Sequence, residues 1–385
     1  MTVDGYAGTG KTTLANHIAA NSGRTVHFAA FTGKAASVLR SKGCDNATTI
    51  HKLIYTVKDK PETHLNKLRR DLANTPEHYP DIREEIERCI AHEVKRLKQP
   101  SFDKNEGSSL RKNDLVIIDE RYMMNQQMGE DLTSFGCKVL LLGDPGQLPP
   151  VGGKSFLSKK TPDVLLTEIH RQARDNPIID MATRIRSGEN LPVGAYGNSS
   201  VVAAGTKMDP EQVLGYDQLI VGKNITRKNI NARVRALHSF EGVEPVKGER
   251  LVCLRNDHDL GLMNGQIWKT IADSREVDED CVRLDVVDEF STDTEMGLLS
   301  HRCFFHGYDY RQWCEEQDKS YSRFAEIDSQ SFDYGYALTC HKSQGSQWDN
   351  VLVFNESRSF GQDHRKWLYT AVTRAANAVC IKEMI

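Results

Sequence analysis

Gly5-Tyr6-Ala7-Gly8-Thr9-Gly10-Lys11-Thr12 satisfies the phosphate-loop pattern G-x-x-x-x-G-K-[ST] at every fixed position. Such a loop holds a di- or triphosphate with backbone N–H groups and with the positive end of the helix that follows, here the segment Thr13 to Ala20. Gly5, Gly8 and Gly10 let the main chain approach the anion, and Ala7, Thr9 and Thr13 complete the cradle. Lys11 is placed to reach the β- and γ-phosphates and the Thr12 hydroxyl to coordinate Mg²⁺, which keeps most of its waters and takes few protein ligands. The loop alone implies a nucleoside triphosphate with Mg²⁺.

Two later stretches end apolar strands in polar groups. In Asp114-Leu115-Val116-Ile117-Ile118-Asp119-Glu120, a strand of a parallel sheet delivers two acids to the edge where ligands bind. Asp119 is the candidate to hold Mg²⁺ and Glu120 to polarise the attacking water. Val139 to Leu142 leads into Gly143-Asp144-Pro145-Gly146-Gln147-Leu148-Pro149-Pro150, where Gln147 carries the donor and acceptor needed to sense a γ-phosphate or orient water. Taken singly, these are solvated acids at a strand end and a proline-rich loop. Behind a phosphate loop they become parts of one site.

The elements that must position these groups follow from patterning. Short apolar runs (Val26 to Phe31, Leu115 to Ile118, Val139 to Leu142) alternate with helical segments, which predicts an α/β fold with parallel sheets. Between Thr56 and Asn113 the sequence turns charged and helix-periodic. Leu65, Leu68 and Leu72 form one stripe and Ile82, Ile86, Ile90, Val94 and Leu97 another, which predicts a helical hairpin inserted into a first domain at residues 1–160. A second α/β domain at 161–385 has helices over Pro177 to Ser187 and Thr226 to Leu237, and a β-rich insert at about 242–333. The 385 residues suffice for two or three domains, and no apolar run nears the length that spans a bilayer. No secretory signal opens the sequence, and its nine cysteines form no C-x-x-C pair, so a reducing cytoplasm is expected. A net charge of −3 gives no general attraction to nucleic acid, so such binding must come from local groups in a cleft.

The ordered segments GYAGTGKT, FTGKAA, ATTIHKL, VIIDE, GDPGQLPPVGG, EIHRQ, ALTCHKSQGSQWDNV and YTAVTRA together resemble the superfamily 1 helicases, in the RecD-like and Dda-like branch that moves 5′ to 3′ on single-stranded DNA. The resemblance implies two RecA-like P-loop domains with ATP between them, and DNA crossing both. It brings Arg171 and Arg374 to the γ-phosphate and places Gly345 beside the nucleotide. It assigns DNA contacts to Thr32, Gly33, Lys34, Thr49, His51, Thr339, His341, Lys342, Gln344 and Gly345. These short polar groups suit phosphate and sugar rather than base edges, hence grip without sequence preference. Phe31 and Trp348 lie beside them as core aromatics or base-stacking platforms. The β-rich insert, with Gly248 to Leu251 and Arg255 to Asp257, is similar to the barrel-like insert of this branch. The implied partners are single-stranded DNA, single- to double-strand junctions and replication or recombination proteins, with no membrane and a monomeric chain. Two alternatives accompany a helicase coupling hydrolysis to strand separation: a hydrolysis-poor DNA-binding relative, and a helicase subunit of a RecBCD-like complex.

Three features depart from the family pattern. Arg121 and Tyr122 stand where a small residue and serine are usual, and a cation beside Glu120 is expected to pair with it and lower its pKa unless it points away. The insert at Thr56 to Asn113 is helical where the strand-separating wedge of relatives is β-rich, which leaves translocation better supported than unwinding. Only Met1 to Asp4 precede Gly5, where the family has a helix bearing an adenine-reading glutamine; His170 is the alternative stacking candidate.

Overall fold

The computed structural model describes residues 1–31, 33–57, 63–76, 79–98, 102–149, 156, 161–169, 175–255, 262, 264–289, 294–319 and 329–384. They group into two units, one of residues 1–54, 105–241 and 335–385, the other of 55–104 and 242–334.

Strands β1 (Thr2–Gly5), β2 (Val26–Ala30) and β3 (Thr48–Thr49) open the first unit, and β4 (Tyr55–Val57) and β5 (Phe102–Lys104) bracket the insert. Then come β6 (Leu115–Ile118), β7 (Lys138–Gly143) and β8 (Val164–Leu166). The first sheet is parallel, in the order β3-β2-β6-β7-β1-β8. Its central strands are buried on both faces, so they carry continuous apolar runs rather than alternation. Alternate residues still divide between faces: Phe28, Ala30, Leu115, Ile117, Leu140 and Leu142 join one cluster with Ala15 of helix Lys11–Asn21 and Leu39 of helix Gly33–Ser41. Each large side chain buried there contributes about 1.5–3 kcal/mol. One difference from the pattern-based division is β8. Val164 to Leu166 pairs with β1 and so belongs to the first sheet rather than to the second half of the chain. A three-residue apolar run carries no information about which sheet it joins.

The second sheet contains β9 (Gly194–Tyr196), β10 (Ser199–Val202) and β11 (Gln218–Val221), and later β18 (Ala337–Thr339), β19 (Trp348–Asn355) and β20 (Ala375–Glu383). Its order is β18-β11-β19-β20-β10-β9, parallel except for the β9–β10 hairpin. Helix Asn224–Leu237 packs Ile230 and Val234 against Leu219, Val221, Ala337 and Leu352. Its N-cap, Lys223, supplies no side-chain bond. Glu356, in the loop after β19, does so from a distance: its carboxylate accepts the Gly222 N–H at 2.7 Å, the Lys223 N–H at 2.9 Å and the Thr226 hydroxyl at 2.6 Å. Two backbone N–H groups and a hydroxyl at the positive end of the helix thus share one buried carboxylate. Glu356→Ala is expected to destabilise the protein by about 3 kcal/mol, measured by urea unfolding, because charge-assisted bonds are lost and their donors stay buried.

In the second unit, β4 and β5 form an antiparallel ribbon at the base of helices Thr63–Asn74 and Pro80–Lys98. This is the expected hairpin. Leu65 is buried, Leu68, Leu72, Ile86 and Ile90 are half-buried, and Ile82 is exposed; the side chains of Val94 and Leu97 lie outside the described residues. Strands β12 (Arg250–Cys253), β13 (Ile267–Thr270), β14 (Arg275–Glu276), β15 (Cys281–Asp288), β16 (Thr294–His301) and β17 (Phe332–Tyr334) make an antiparallel sheet in the order β14-β15-β13-β12-β17, with β16 on β15. The sheet curls: Gln330, just ahead of β17, donates to Leu299 O and accepts the His301 N–H, both on β16. No described helix is long and apolar enough to cross a membrane.

Candidate functional site

The loops that leave the carboxyl ends of β1, β6 and β7 converge, as ligand sites of parallel sheets do. Gly8 and Gly10 have φ of 77° and 80°, the left-handed region that glycine enters without a Cβ penalty. Gly5 is fixed by space instead, since an added Cβ would stand 2.5 Å from Thr9 Oγ1 and 3.0 Å from Leu166 Cβ. Gly10 is the N-cap of helix Lys11–Asn21 and has no side chain with which to cap it, so the first N–H groups of that helix face the loop. Lys11 Nζ donates to Gly5 O at 2.6 Å and Tyr6 O at 3.1 Å, and lies 4.0 Å from Asp144 Oδ2.

Around the loop is a cleft of about 380 Å³. Ala7, Gly8, Gly10, Lys11, Thr12, Thr13, Asp119, Glu120, Gln147, Gly345 and Arg374 all line it; Gly5 and Thr9 shape the loop behind. Arg374, just past helix His364–Val372, is 5% exposed. Its Nε donates to Thr370 O at 3.0 Å, Nη1 to Ser346 O at 3.2 Å and Nη2 to Thr373 Oγ1 at 3.3 Å. All three acceptors are neutral. The cleft therefore joins a loop built for phosphate to a buried guanidinium supplied by the second sheet. Arg171 and His170 lie outside the described residues.

Glu120 sits in the left-handed region at φ 60°, an uncommon place for a residue with a Cβ, and caps the 3₁₀ turn Arg121–Met123. Gln147 Nε2 approaches its Oε1 at 3.4 Å. Burial raises the Glu120 pKa to about 7, helped by the charges of Asp119 and Asp144 and opposed by Arg374 and Lys11. The expected pairing with Arg121 does not form the way the sequence suggested. Arg121 Nε and Nη2 bind Asp4 Oδ1 and Oδ2 at 2.6 and 2.7 Å, and Tyr122 donates to Asp4 Oδ2 at 2.7 Å. The sharp turn at Glu120 aims the next side chain back beneath the phosphate loop.

A carboxyl whose pKa rises on folding loses stability as pH climbs from its unfolded value toward its folded one. Glu120 thus disfavours the folded state above about pH 7. Glu120→Gln, in metal-free buffer at pH 8, is expected to melt at a higher temperature than wild type, and the difference should shrink toward pH 5. An equal or lower melting temperature at pH 8 would contradict that placement.

The residues assigned to DNA fall at the ends of the two outer strands. Phe31 follows β2, Thr49 ends β3 and His51 follows it; Thr339 ends β18 and His341, Lys342, Gln344 and Gly345 form the turn after it. Gly33 and Lys34 begin helix Gly33–Ser41, while Thr32 and the side chain of Lys34 lie outside the described residues. Burial lowers the His341 pKa, and its ring stands 5.7 Å from that of Phe360. Phe31 and Trp348 are 8% and 5% exposed, so both serve the core. Gln344 Nε2 donates to Leu148 O at 2.7 Å, which gives it a partner in the loop after β7. Sequence reasoning missed Asp4, Tyr369 and Arg186, whose partners are distant in the chain. Tyr369 bonds Ala7 and Asp144, and the Arg186 guanidinium lies 3.7 Å over the Tyr6 ring.

Comparison with known proteins fits this geometry. The AAA domain family matches residues 1–207, and the UvrD-like helicase C-terminal domain matches residues 334–381. The ATP-dependent RecD2 DNA helicase of Deinococcus radiodurans is 28% identical over 273 residues, 68% of this chain and 35% of that protein. A probable conjugal transfer protein TraA of Sinorhizobium fredii is 28% identical over 307 residues, 70% of this chain and 24% of that protein. The chain thus spans about a third or less of the length of these relatives. Among solved structures, Pif1 helicases studied on forked double-stranded DNA share 18% identity at a TM-score of 0.48, covering 99% of this chain and 87% of theirs. A Bacteroides Pif1 bound to single-stranded DNA shares 16% at a TM-score of 0.45, covering 99% and 88%. With its phosphate loop inside the first match and Arg374 inside the second, the chain belongs to the AAA domain family and ends in a segment similar to the UvrD-like helicase C-terminal domain.

Proposed function

We propose that the protein is an ATP-dependent DNA helicase or translocase that moves 5′ to 3′ on single-stranded DNA. The observation that carries this is the buried Arg374, with only neutral acceptors, lining the same cleft as the phosphate loop. A guanidinium held dry by neutral acceptors is placed to meet an anion, and a triphosphate in the loop supplies it. ATP and Mg²⁺ fit the residues present: the uncapped helix N-terminus offers N–H groups to phosphate, and Thr12 and Asp119 line the cleft as the hydroxyl and carboxylate that would hold the ion. Bound there, Mg²⁺ would neutralise charge on the β- and γ-phosphates. Glu120, next to Gln147, is the base that orients the attacking water, and Arg374 stabilises charge that spreads in the transition state. Because Arg374 comes from the second sheet, its grip on phosphate ties the arrangement of the two sheets to the state of the nucleotide.

Thr49 and His51 at the first sheet, and Thr339, His341 and Lys342 at the second, are the proposed contacts to the DNA backbone, with Gln344 bridging from them to Leu148. A strand gripped at both sheets advances as they move. Of the grounds for the hydrolysis-poor alternative, the Asp4 pairing removes one, Arg121 beside Glu120. Unwinding of duplexes with a 5′ or a 3′ single-stranded tail tests the assignment. The 5′-tailed duplex is expected to be opened and the 3′-tailed one left intact; the reverse would overturn the polarity.

A further inference from the structure

Tyr369, on helix His364–Val372, is 2% exposed, and its hydroxyl makes two hydrogen bonds. It accepts the Ala7 N–H at 2.7 Å and donates to Asp144 Oδ2 at 2.8 Å. One oxygen carried by the second half of the chain therefore touches both the phosphate loop and the loop after β7. Its neighbours reinforce the latch. The Leu148 N–H donates to Thr370 Oγ1 at 2.9 Å, and Gln344 Nε2 holds the Leu148 carbonyl at 2.7 Å. Arg374 stands two residues past the end of the same helix.

A phosphate loop binds its ligand through backbone N–H groups, and an N–H committed to a tyrosine oxygen is not fully available to a phosphate oxygen. We infer that Tyr369 is a positioning residue that couples the phosphate loop to the second sheet, because its hydroxyl and the terminal phosphates of the nucleotide compete for the Ala7 N–H. Nucleotide entry releases Tyr369 from Ala7 while Asp144 retains it, so the helix that leads into Arg374 shifts with occupancy of the loop. Linkage makes the effect reciprocal: whatever holds the helix in its Ala7-bonded position weakens triphosphate binding. The inference rests on reading the cleft as a nucleoside triphosphate site, and deepens it.

The test uses the full chain without DNA. Affinities for a fluorescent ATP analogue and for AMP are measured in wild type and in Tyr369→Phe, which keeps the ring and removes the hydroxyl. The expected result is a roughly three- to ten-fold tighter affinity of Tyr369→Phe for the triphosphate, the span of one competing hydrogen bond, with AMP unchanged. A hydroxyl that merely supported packing would loosen the cleft and weaken triphosphate binding, and equal or weaker affinity overturns the inference. A wild-type measurement guards against poor folding of the variant: amide hydrogen exchange over residues 364–374 should change on adding the ATP analogue and not on adding AMP. No change there also overturns it. Wild type that binds the triphosphate while both readouts stay flat sinks the Tyr369 inference alone; wild type that binds no nucleotide sinks the nucleotide reading with it.

Discussion

Replacing Arg374 by alanine is expected to lower DNA-stimulated ATP hydrolysis by about a thousand-fold or more, with nucleotide affinity changed only a few-fold. The large effect follows from when the charge is needed. On the proposed reading, backbone N–H groups and Lys11 hold the phosphates in the ground state, whereas a guanidinium beside the γ-phosphate matters most as charge spreads during bond cleavage. The loss should therefore appear in kcat rather than in KM. Arg374 is preset for this by Thr370 O, Ser346 O and Thr373 Oγ1, so little ordering remains to be done at the moment of reaction. Arg374→Lys keeps the charge but loses the planar fork that these acceptors orient, and should recover only a small part of the rate. A loss below ten-fold in Arg374→Ala would mean that the side chain is structural.

The second large effect concerns stability. Arg121→Ala is expected to destabilise the protein by about 3–5 kcal/mol, because it strands a buried carboxylate. Asp4 and Arg121 are each 1% exposed and joined by two short parallel bonds, with the Tyr122 hydroxyl on the same carboxylate. The surroundings admit nothing larger: a Cβ at Gly143 would come within 2.7 Å of Asp4 Oδ1 and 2.9 Å of Arg121 Cγ. Asp4 immediately precedes the phosphate loop and Arg121 immediately follows Glu120, so this pair fastens together the turns that carry Lys11 and the candidate base. Urea unfolding measures the loss. Replacing both partners by apolar residues, as in Asp4→Leu with Arg121→Met, should restore much of it, since the penalty is that of an unpaired charge. A single-variant loss under 1 kcal/mol would contradict the buried pairing.

How much of this was legible in the sequence depends on the range of each interaction. The phosphate loop was readable because its glycines, lysine and threonine act within one turn of chain. The helical hairpin was readable because Leu65, Leu68 and Leu72, and later Ile86 and Ile90, repeat with the helical period. The family was readable from the order of its motifs. Which way Arg121 turns was left open between Glu120 and a direction away from it, because its partner Asp4 lies 117 positions away. Tyr369 was passed over for the same reason, its contact with Ala7 spanning 362 positions. The positive φ of Glu120 had no local signal either, since glycine or asparagine is the usual mark of that conformation. β8 joined the first sheet through pairing with β1, which no short apolar run encodes.

The most direct test of the central claim, a nucleotide-driven motor on single-stranded DNA, is the steady-state ATP hydrolysis rate of the wild-type chain with and without single-stranded DNA. Lys11→Ala serves as the control for contaminating hydrolysis. The rate should rise many-fold with DNA and vanish in Lys11→Ala under both conditions. Equal wild-type rates with and without DNA, or a Lys11→Ala rate equal to wild type, would contradict it.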